Sequence, residues 1–216
     1  FRCDYEMIDL MVESGCEYLN IAIESGTERV TRDIILKPLD FAHAKKMVAY
    51  MRKKGIYVSA GFIIGLPTET WGEVRKTIDF AEEINVDYVK INTAIPLRNT
   101  ELFDLAEKTN SIIQDTYDGE SLWTVGGAIT SDEWSADDLT ILRAYEWDRI
   151  NFSNPKKLKR IADRMAITVE ELNQIRKRTL NNAIKAISSR DDSKESVERA
   201  ADIALVSKKE SVSKIN

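Results

Sequence analysis

Three apolar runs set the terms for any fold this chain can adopt: EYLNIAIES (17–25), YVSAGFIIGL (57–66) and DYVKINTAIPL (87–97). Each has the length of a strand, and the turn-forming residues Gly, Pro, Asn and Asp cluster around them. The stretches between them carry a helical period instead. From Asp40 to Lys54, the residues Ala44, Met47, Val48 and Met51 fall on one helix face, and Gly55 supplies a stop. Thr70 and Glu73 stand in capping-box spacing ahead of an inner face of Val74, Ile78, Ala81 and Ile84. An earlier helix spans about Asp4 to Ser14 and ends at Gly15. Strands alternating with crossover helices predict a parallel sheet, open or curved into a barrel.

The alternation ends near residue 110. Beyond it, SIIQDTYDGESLWTVGGAITSDEW is irregular, and three capped helices follow. Ser135 with Asp138, Asn154 with Pro155, and Thr168 with Glu171 mark their starts. The expected organisation is therefore strand–helix units over 1–110, a helical region over 111–185 and a polar tail over 186–216 with one helical patch near Val197 to Val206. There is no internal repeat. The chain opens FRCDYEMIDLM, without an initiator Met, and reads as starting inside a structural unit. A C-terminal fragment of a longer protein is the expectation.

Composition narrows the function classes. At 216 residues the chain can bury one sizeable core. No apolar run approaches the roughly 18 residues of a membrane span, and the two cysteines, Cys3 and Cys16, make neither a disulfide framework nor a closed metal set. A cytoplasmic location is the plain expectation. A net charge of −5 argues against a general nucleic-acid coat. The basic pair of helices around Lys156, Lys157, Lys159, Arg160, Arg176, Lys177 and Arg178 has a helix-turn-helix outline, but acidic segments flank it, so a helical cap over the barrel or a dock for a partner is preferred to nucleic-acid binding. His43, the one histidine, reads as a helix-surface residue, and Trp71, Trp123, Trp134 and Trp147 read as packing anchors.

In parallel α/β folds ligands sit beyond the carboxyl ends of the strands. Those ends here are IESGT (23–27), GFIIGLPTE (61–69) and INTAIPLRNT (91–100). Small or polar residues occur just where each apolar run stops. Gly61 and Gly65 pose the sharpest question: what comes so near this backbone that two side chains are missing?

Taken together, the three ends resemble the radical S-adenosylmethionine (SAM) superfamily, in particular its Fe–S oxidoreductase members that often carry an upstream cobalamin domain. The stretches ESGCEYLNIAIESGTERV…ILK, GIYVSAGFIIGLPTET and TIDFAEEINVDYVKINTAIPLRNTEL carry the resemblance, over about residues 1 to 108. It implies an α/β fold made of the later βα units of a partial (β/α)6 TIM-like barrel, followed by an α-helical C-terminal region. Gly61, Ile63, Gly65 and Glu69 correspond to the family's fifth-strand motif, where the bare main chain lies against the adenine of SAM and Ile63 offers an apolar wall. Glu69 fits an orienting role in the turn better than a ligand role. Glu24 and Ser25 correspond to the fourth-strand end near the ribose hydroxyls, with an N-cap as the alternative for Ser25. Asn92 to Pro96 correspond to the sixth-strand end at the adenine edge, and Arg32 or Lys37 is a candidate partner for the methionyl carboxylate.

The resemblance also implies SAM and a [4Fe-4S] cluster as cofactors, with cobalamin a further candidate. It implies a flavodoxin or ferredoxin as electron donor, and reductive cleavage of SAM to a 5′-deoxyadenosyl radical that acts on an unknown substrate. The Cys-x-x-x-Cys-x-x-Cys loop that would hold the cluster is missing, because Cys3 and Cys16 lie thirteen positions apart around a helix. The glycine-rich segment expected on the family's second strand is missing too, and PLRNTEL replaces its usual Pro-x-Pro-Gly-Thr. No residue is therefore assigned a catalytic or metal-ligating role, and the fragment alone is expected to be inactive. The alternative is a non-catalytic binding or scaffold module that has lost the cluster. An aldolase-type barrel is disfavoured because Lys90 sits in mid-strand, outside a Schiff-base setting.

Overall fold

The computed structural model describes residues 3–113 and 127–188. Three strands, β1 (Tyr18–Glu24), β2 (Tyr57–Ile64) and β3 (Tyr88–Thr93), form one parallel sheet in chain order. Helices α2 (Phe41–Lys53) and α3 (Trp71–Glu83) make the crossovers, and α1 (Tyr5–Glu13) and α4 (Glu101–Lys108) flank them. Three further helices complete the described chain: α5 (Ala136–Phe152), α6 (Pro155–Arg164) and α7 (Val169–Ser188). The expected helix near Val197 to Val206 lies outside the described residues, as do Trp123 and Phe1–Arg2.

Local chemistry accounts for the boundaries. The Asp4, Asp40, Thr70, Thr100, Ser135 and Asn154 side chains each accept from a backbone N–H in the first turn of their helix. Thr70–Glu73 and Ser135–Asp138 close full capping boxes. A short π-helical turn over Val30–Ile34, which the sequence pattern did not announce, fills the space between β1 and α2. Arg29, just ahead of it, grips Glu73 with Nε and Nη2, both at 2.6 Å. That pair ties the end of the β1 turn to the start of α3.

The two sheet faces differ. Ile21, Ile23, Val58, Ala60, Phe62, Ile64, Val89 and Ile91 point into the core, against Ile8, Met47, Val48, Met51, Val74 and Ile78 of the helices. Fully burying one such side chain contributes roughly 1.5–3 kcal/mol. Gly26 is part of this packing: a Cβ there would lie 2.6 Å from the Lys76 carbonyl oxygen, so α3 can press against the β1 turn only with glycine in place. The opposite face carries Tyr18, Asn20 and Ala22 on β1, Tyr57, Ser59, Gly61 and Ile63 on β2, and Tyr88, Lys90 and Asn92 on β3, set in rows by the register.

The C-terminal helices cover part of that second face and one edge. Arg160 lies over the Tyr57 ring, and Arg164 lies over Tyr18 and Tyr57. The Trp147 Nε1–H donates to the Tyr88 hydroxyl at 3.0 Å. Along β3 the Asn151 carboxamide accepts from Val89 N–H at 2.8 Å and donates to the Val89 carbonyl at 2.9 Å. One buried side chain therefore does at Val89 what a fourth strand would do.

Candidate functional site

The half of the second face nearest the strand N-termini is closed by tyrosines and arginines, whereas the half nearest the C-termini is open. Its floor is a hydrogen-bonded chain across all three strands. Tyr18 Oη and Ser59 Oγ are 2.8 Å apart, Ser59 Oγ donates to Asn20 Oδ1 at 2.7 Å, and Lys90 Nζ donates to the same oxygen at 3.0 Å. Above this floor lie Ala22 and Gly61, which are paired in the register, and then the pair Ile63 and Asn92, with Glu24 at the end of β1 beyond a register shift. Ala22 and Asn92 are exposed, and Gly61, Ile63 and Glu24 are half-buried.

Gly61 and Gly65, alike in sequence, are glycine for different reasons. Gly65 has φ +80°, and a Cβ on it would run into Leu139 and lie 3.6 Å from the Trp134 ring. Its missing side chain makes room for this chain's own α5 and the segment before it. Gly61 adopts ordinary strand geometry, and its nearest neighbour to a built Cβ is the Ile21 carbonyl oxygen at 3.9 Å. Neither backbone conformation nor packing within the described chain requires glycine there, although glycine in mid-strand costs roughly 0.5–1 kcal/mol relative to alanine.

The turn after Gly65 is tightly held. Glu69 Oε2 accepts from Gly65 N–H at 2.7 Å and Leu66 N–H at 3.0 Å, while Oε1 is buried with no partner. The Trp134 indole N–H donates to the Glu69 carbonyl at 2.8 Å, and Glu133 Oε2 accepts from Trp71 N–H at 2.7 Å. Burial pushes the Glu69 carboxyl up to about 7, although the two backbone donors pull the other way. Glu73 shows the reverse: the Arg29 hydrogen bonds hold it down to about 2 despite some desolvation.

The other strand ends divide. Glu24 has φ 70° at a register shift in β1, and its Oε1 lies 3.3 Å from Lys37 Nζ. Ser25 is 0% exposed, with its hydroxyl 3.0 Å from Thr77 Oγ1 and accepting from Thr27 N–H. It holds the β1 turn to α3 and does not face the open surface. Pro96 is buried and Asn92 is exposed. Arg32 pairs with Asp33 and Glu28, leaving Lys37 as the cation nearest Glu24. The open face thus brings together Gly61, Ile63 and Asn92, with Glu24 at the end of the neighbouring strand, but not Ser25, Gly65 or Pro96.

Among the described residues no group of three His, Cys, Asp or Glu could hold a metal ion. Cys3 and Cys16 lie at opposite ends of α1. A [4Fe-4S] cluster therefore does not fit the residues present here. His43 Nε2 lies 2.7 Å from the Cys3 carbonyl, a local link between α2 and the start of α1. The basic α6–α7 pair is largely engaged internally: Arg160 with Asp87, Lys159 with Asp163, Arg176 with Asp148, and Lys157 Nζ with the Ile150 carbonyl.

Comparison with known proteins reaches the same strands. The Radical SAM superfamily model matches residues 1–81. The first 81 residues thus carry a radical SAM match. It is 36% identical over 108 residues to cytidylyl-2-hydroxyethylphosphonate methyltransferase of Streptomyces wedmorensis, a match over 47% of this chain and 20% of that protein. It is 33% identical over 103 residues to an uncharacterized methyltransferase of Pyrococcus horikoshii, over 48% of this chain and 22% of that protein. The matched stretch thus spans about a fifth of these relatives' length. Among solved structures, coproporphyrinogen III oxidase of Escherichia coli aligns with a TM-score of 0.44 and 18% identity, covering 50% of this chain and 24% of that one. Among the described residues no helix is long and apolar enough to cross a membrane.

Proposed function

We propose that this chain is the nucleoside-side wall of a radical SAM enzyme of the methyl-transferring kind, with the adenosine part of SAM resting on the open strip at Ala22 and Gly61. The bare backbone of Gly61 carries this reading: it is a mid-strand glycine, with ordinary strand geometry, whose empty side faces neither the core nor a neighbouring helix. A flat ring laid there gains main-chain contact that any side chain would forbid. Ile63 supplies an apolar neighbour, Asn92 a carboxamide at the ring edge, and Glu24 an acceptor suited to a diol. The methyl-transfer assignment is supported by the two relatives named as methyltransferases.

In the whole protein, SAM would be cleaved reductively with electrons from a flavodoxin or ferredoxin. The thiolates for a [4Fe-4S] cluster are not among the residues described. The test is anaerobic expression of the complete protein. Iron and sulfide content, SAM binding by calorimetry, and 5′-deoxyadenosine and S-adenosylhomocysteine formed under a reductant would be measured together. A cluster-bearing product that binds and cleaves SAM supports the proposal. A cluster-free protein that leaves SAM intact would make this chain a binding or scaffold module instead.

A further inference from the structure

Two strongly buried carboxylates among the described residues have cations around them. Asp87 has Arg52 and Arg160, and Glu146 has Arg75 and Arg149. Arg143 is the converse case. Its Nε is buried and donates to nothing, and among the described residues its guanidinium has no carboxylate within ion-pair distance. Burial pulls its pKa down from the ordinary arginine value with no opposing charge. Arg143 as a whole is half-buried, and a cation desolvated in part without a counter-charge gains nothing for the fold, which leaves its guanidinium open to an anionic ligand.

Its position follows from α5, which runs antiparallel to β3 and is anchored at both ends. Asn151 is bonded to Val89, and Leu139 lies against Gly65, beyond the far end of β3. Arg143 is on the same helix face, four residues from Leu139 and from Trp147. At about 1.5 Å per helical residue, Arg143 lies about 12 Å along from Asn151. At about 3.3 Å per strand residue, that is three to four residues beyond Val89, level with Asn92. Asn92 is exposed on the open face, and Lys90, one row below, donates to the neutral carboxamide of Asn20 and to no carboxylate among the described residues. The one acid of this patch, Glu24, sits on the opposite strand and is already paired with Lys37.

We propose that Arg143, with Lys90 and Asn92, binds a phosphoryl or phosphonyl dianion of the substrate between α5 and the C-terminal half of β3. The proposal rests on the open face being the ligand face. A planar guanidinium presents two parallel N–H groups to two oxygens of one oxyanion, and a second full positive charge favours a dianion over a carboxylate. A substrate held there would lie beside the nucleoside strip at Gly61, across β3 from it. SAM brings an oxyanion of its own, the methionyl carboxylate, so the test separates the two.

The full-length protein would be titrated calorimetrically with methylphosphonate and, separately, with SAM, in wild-type, Arg143→Gln and Arg143→Met forms. The expected result is methylphosphonate binding in the wild type that both variants weaken at least about tenfold, with SAM affinity changed by less than about twofold. Both variants should melt at or above the wild-type temperature, because a partly desolvated charge without a counter-charge has been removed. Three results would overturn the proposal: no methylphosphonate binding to wild type, equal binding in wild type and variants, or a variant that melts well below wild type. SAM affinity falling in step with methylphosphonate would move the anion from the substrate to SAM and overturn it as well. Should SAM fail to bind the wild type while methylphosphonate still depends on Arg143, the nucleoside reading falls and the anion site stands.

Discussion

Gly61 is where the functional reading is most exposed to refutation at the scale of one residue. Its conformation suits any residue and its outward side is open, so Gly61→Val should fold with a melting temperature within a few degrees of wild type. The added isopropyl group would stand where the ring is to lie, and SAM affinity measured by calorimetry should drop at least about tenfold. A valine variant that binds SAM normally removes the argument for the strip. Gly65→Val is the control of opposite sign: it should fail in stability, because φ is +80° and Leu139 occupies the space. Glu69 makes a pH-dependent prediction. Its folded value, about 7, lies above the ordinary glutamate value. The neutral form is therefore the one the fold favours, and its contribution is complete below about pH 4.5 and lost as pH rises through about 7. Glu69→Gln stays neutral throughout, so the stability of wild type relative to this variant should decline between pH 5 and pH 8. Urea midpoints at four or five pH values would show it, and a constant difference would mean the carboxyl is ionised throughout that range.

At the scale of elements, the most consequential contact is the Asn151 carboxamide on β3. Asn151→Leu leaves the Val89 N–H and carbonyl buried without partners, which should destabilise the protein by about 2–4 kcal/mol. Chemical denaturation would measure that loss, and Asn151→Asp, which keeps an acceptor but loses the donor, should also destabilise. This edge also shows what the sequence could and could not announce. The strands and helices of 1–108 were legible because a period of two and a period of 3.6 alternate there with caps at the boundaries. The capping pairs Thr70–Glu73 and Ser135–Asp138 act within one turn, so they too were legible. Asn151 pairs with Val89 across sixty-two positions, and nothing in the local pattern around it announces a β-edge partner. The same holds for the site. Gly61, Ile63 and Asn92 follow from strand position alone. The burial of Ser25 depends on Thr77, and the filling of the Gly65 space depends on Leu139 and Trp134, all distant in sequence. Arg143 carries no motif at all; its mark is a missing partner, which only coordinates reveal.

On the scale of the whole molecule, α5 and the segment before it are part of the same core as the sheet, while α6 and α7 pack in smaller clusters beside it. Trp134, Leu139, Leu142 and Ile150 pack in one cluster with Phe62, Ile64 and Val89. The segment before α5 also grips the motif turn, through the Trp134 indole on the Glu69 carbonyl and the Glu133 carboxylate on Trp71 N–H. Residues 127–152 therefore position a turn that lies within the family segment, although they lie outside it. Trp134→Phe isolates that role. The phenyl ring keeps most of the apolar packing and removes the indole donor, so stability should fall by about 1 kcal/mol while the Glu69 carbonyl loses its buried partner. If the turn orders the strip beside it, SAM affinity of the full-length protein should fall with it, even though Trp134 meets Gly65 and not the open face. The stronger cut is deletion of everything from residue 127 onward. It would bare the β3 edge, the Gly65 hollow and the Tyr18–Tyr57–Tyr88 face together, an apolar and unpaired surface of the kind that drives edge-to-edge association. Such a truncated protein should bind a hydrophobic dye, sediment as aggregates and lose a cooperative melt. A truncated chain that stays monomeric and melts sharply would mean that the helices are an appendage, and that the sheet is stable without the side chains that now close it.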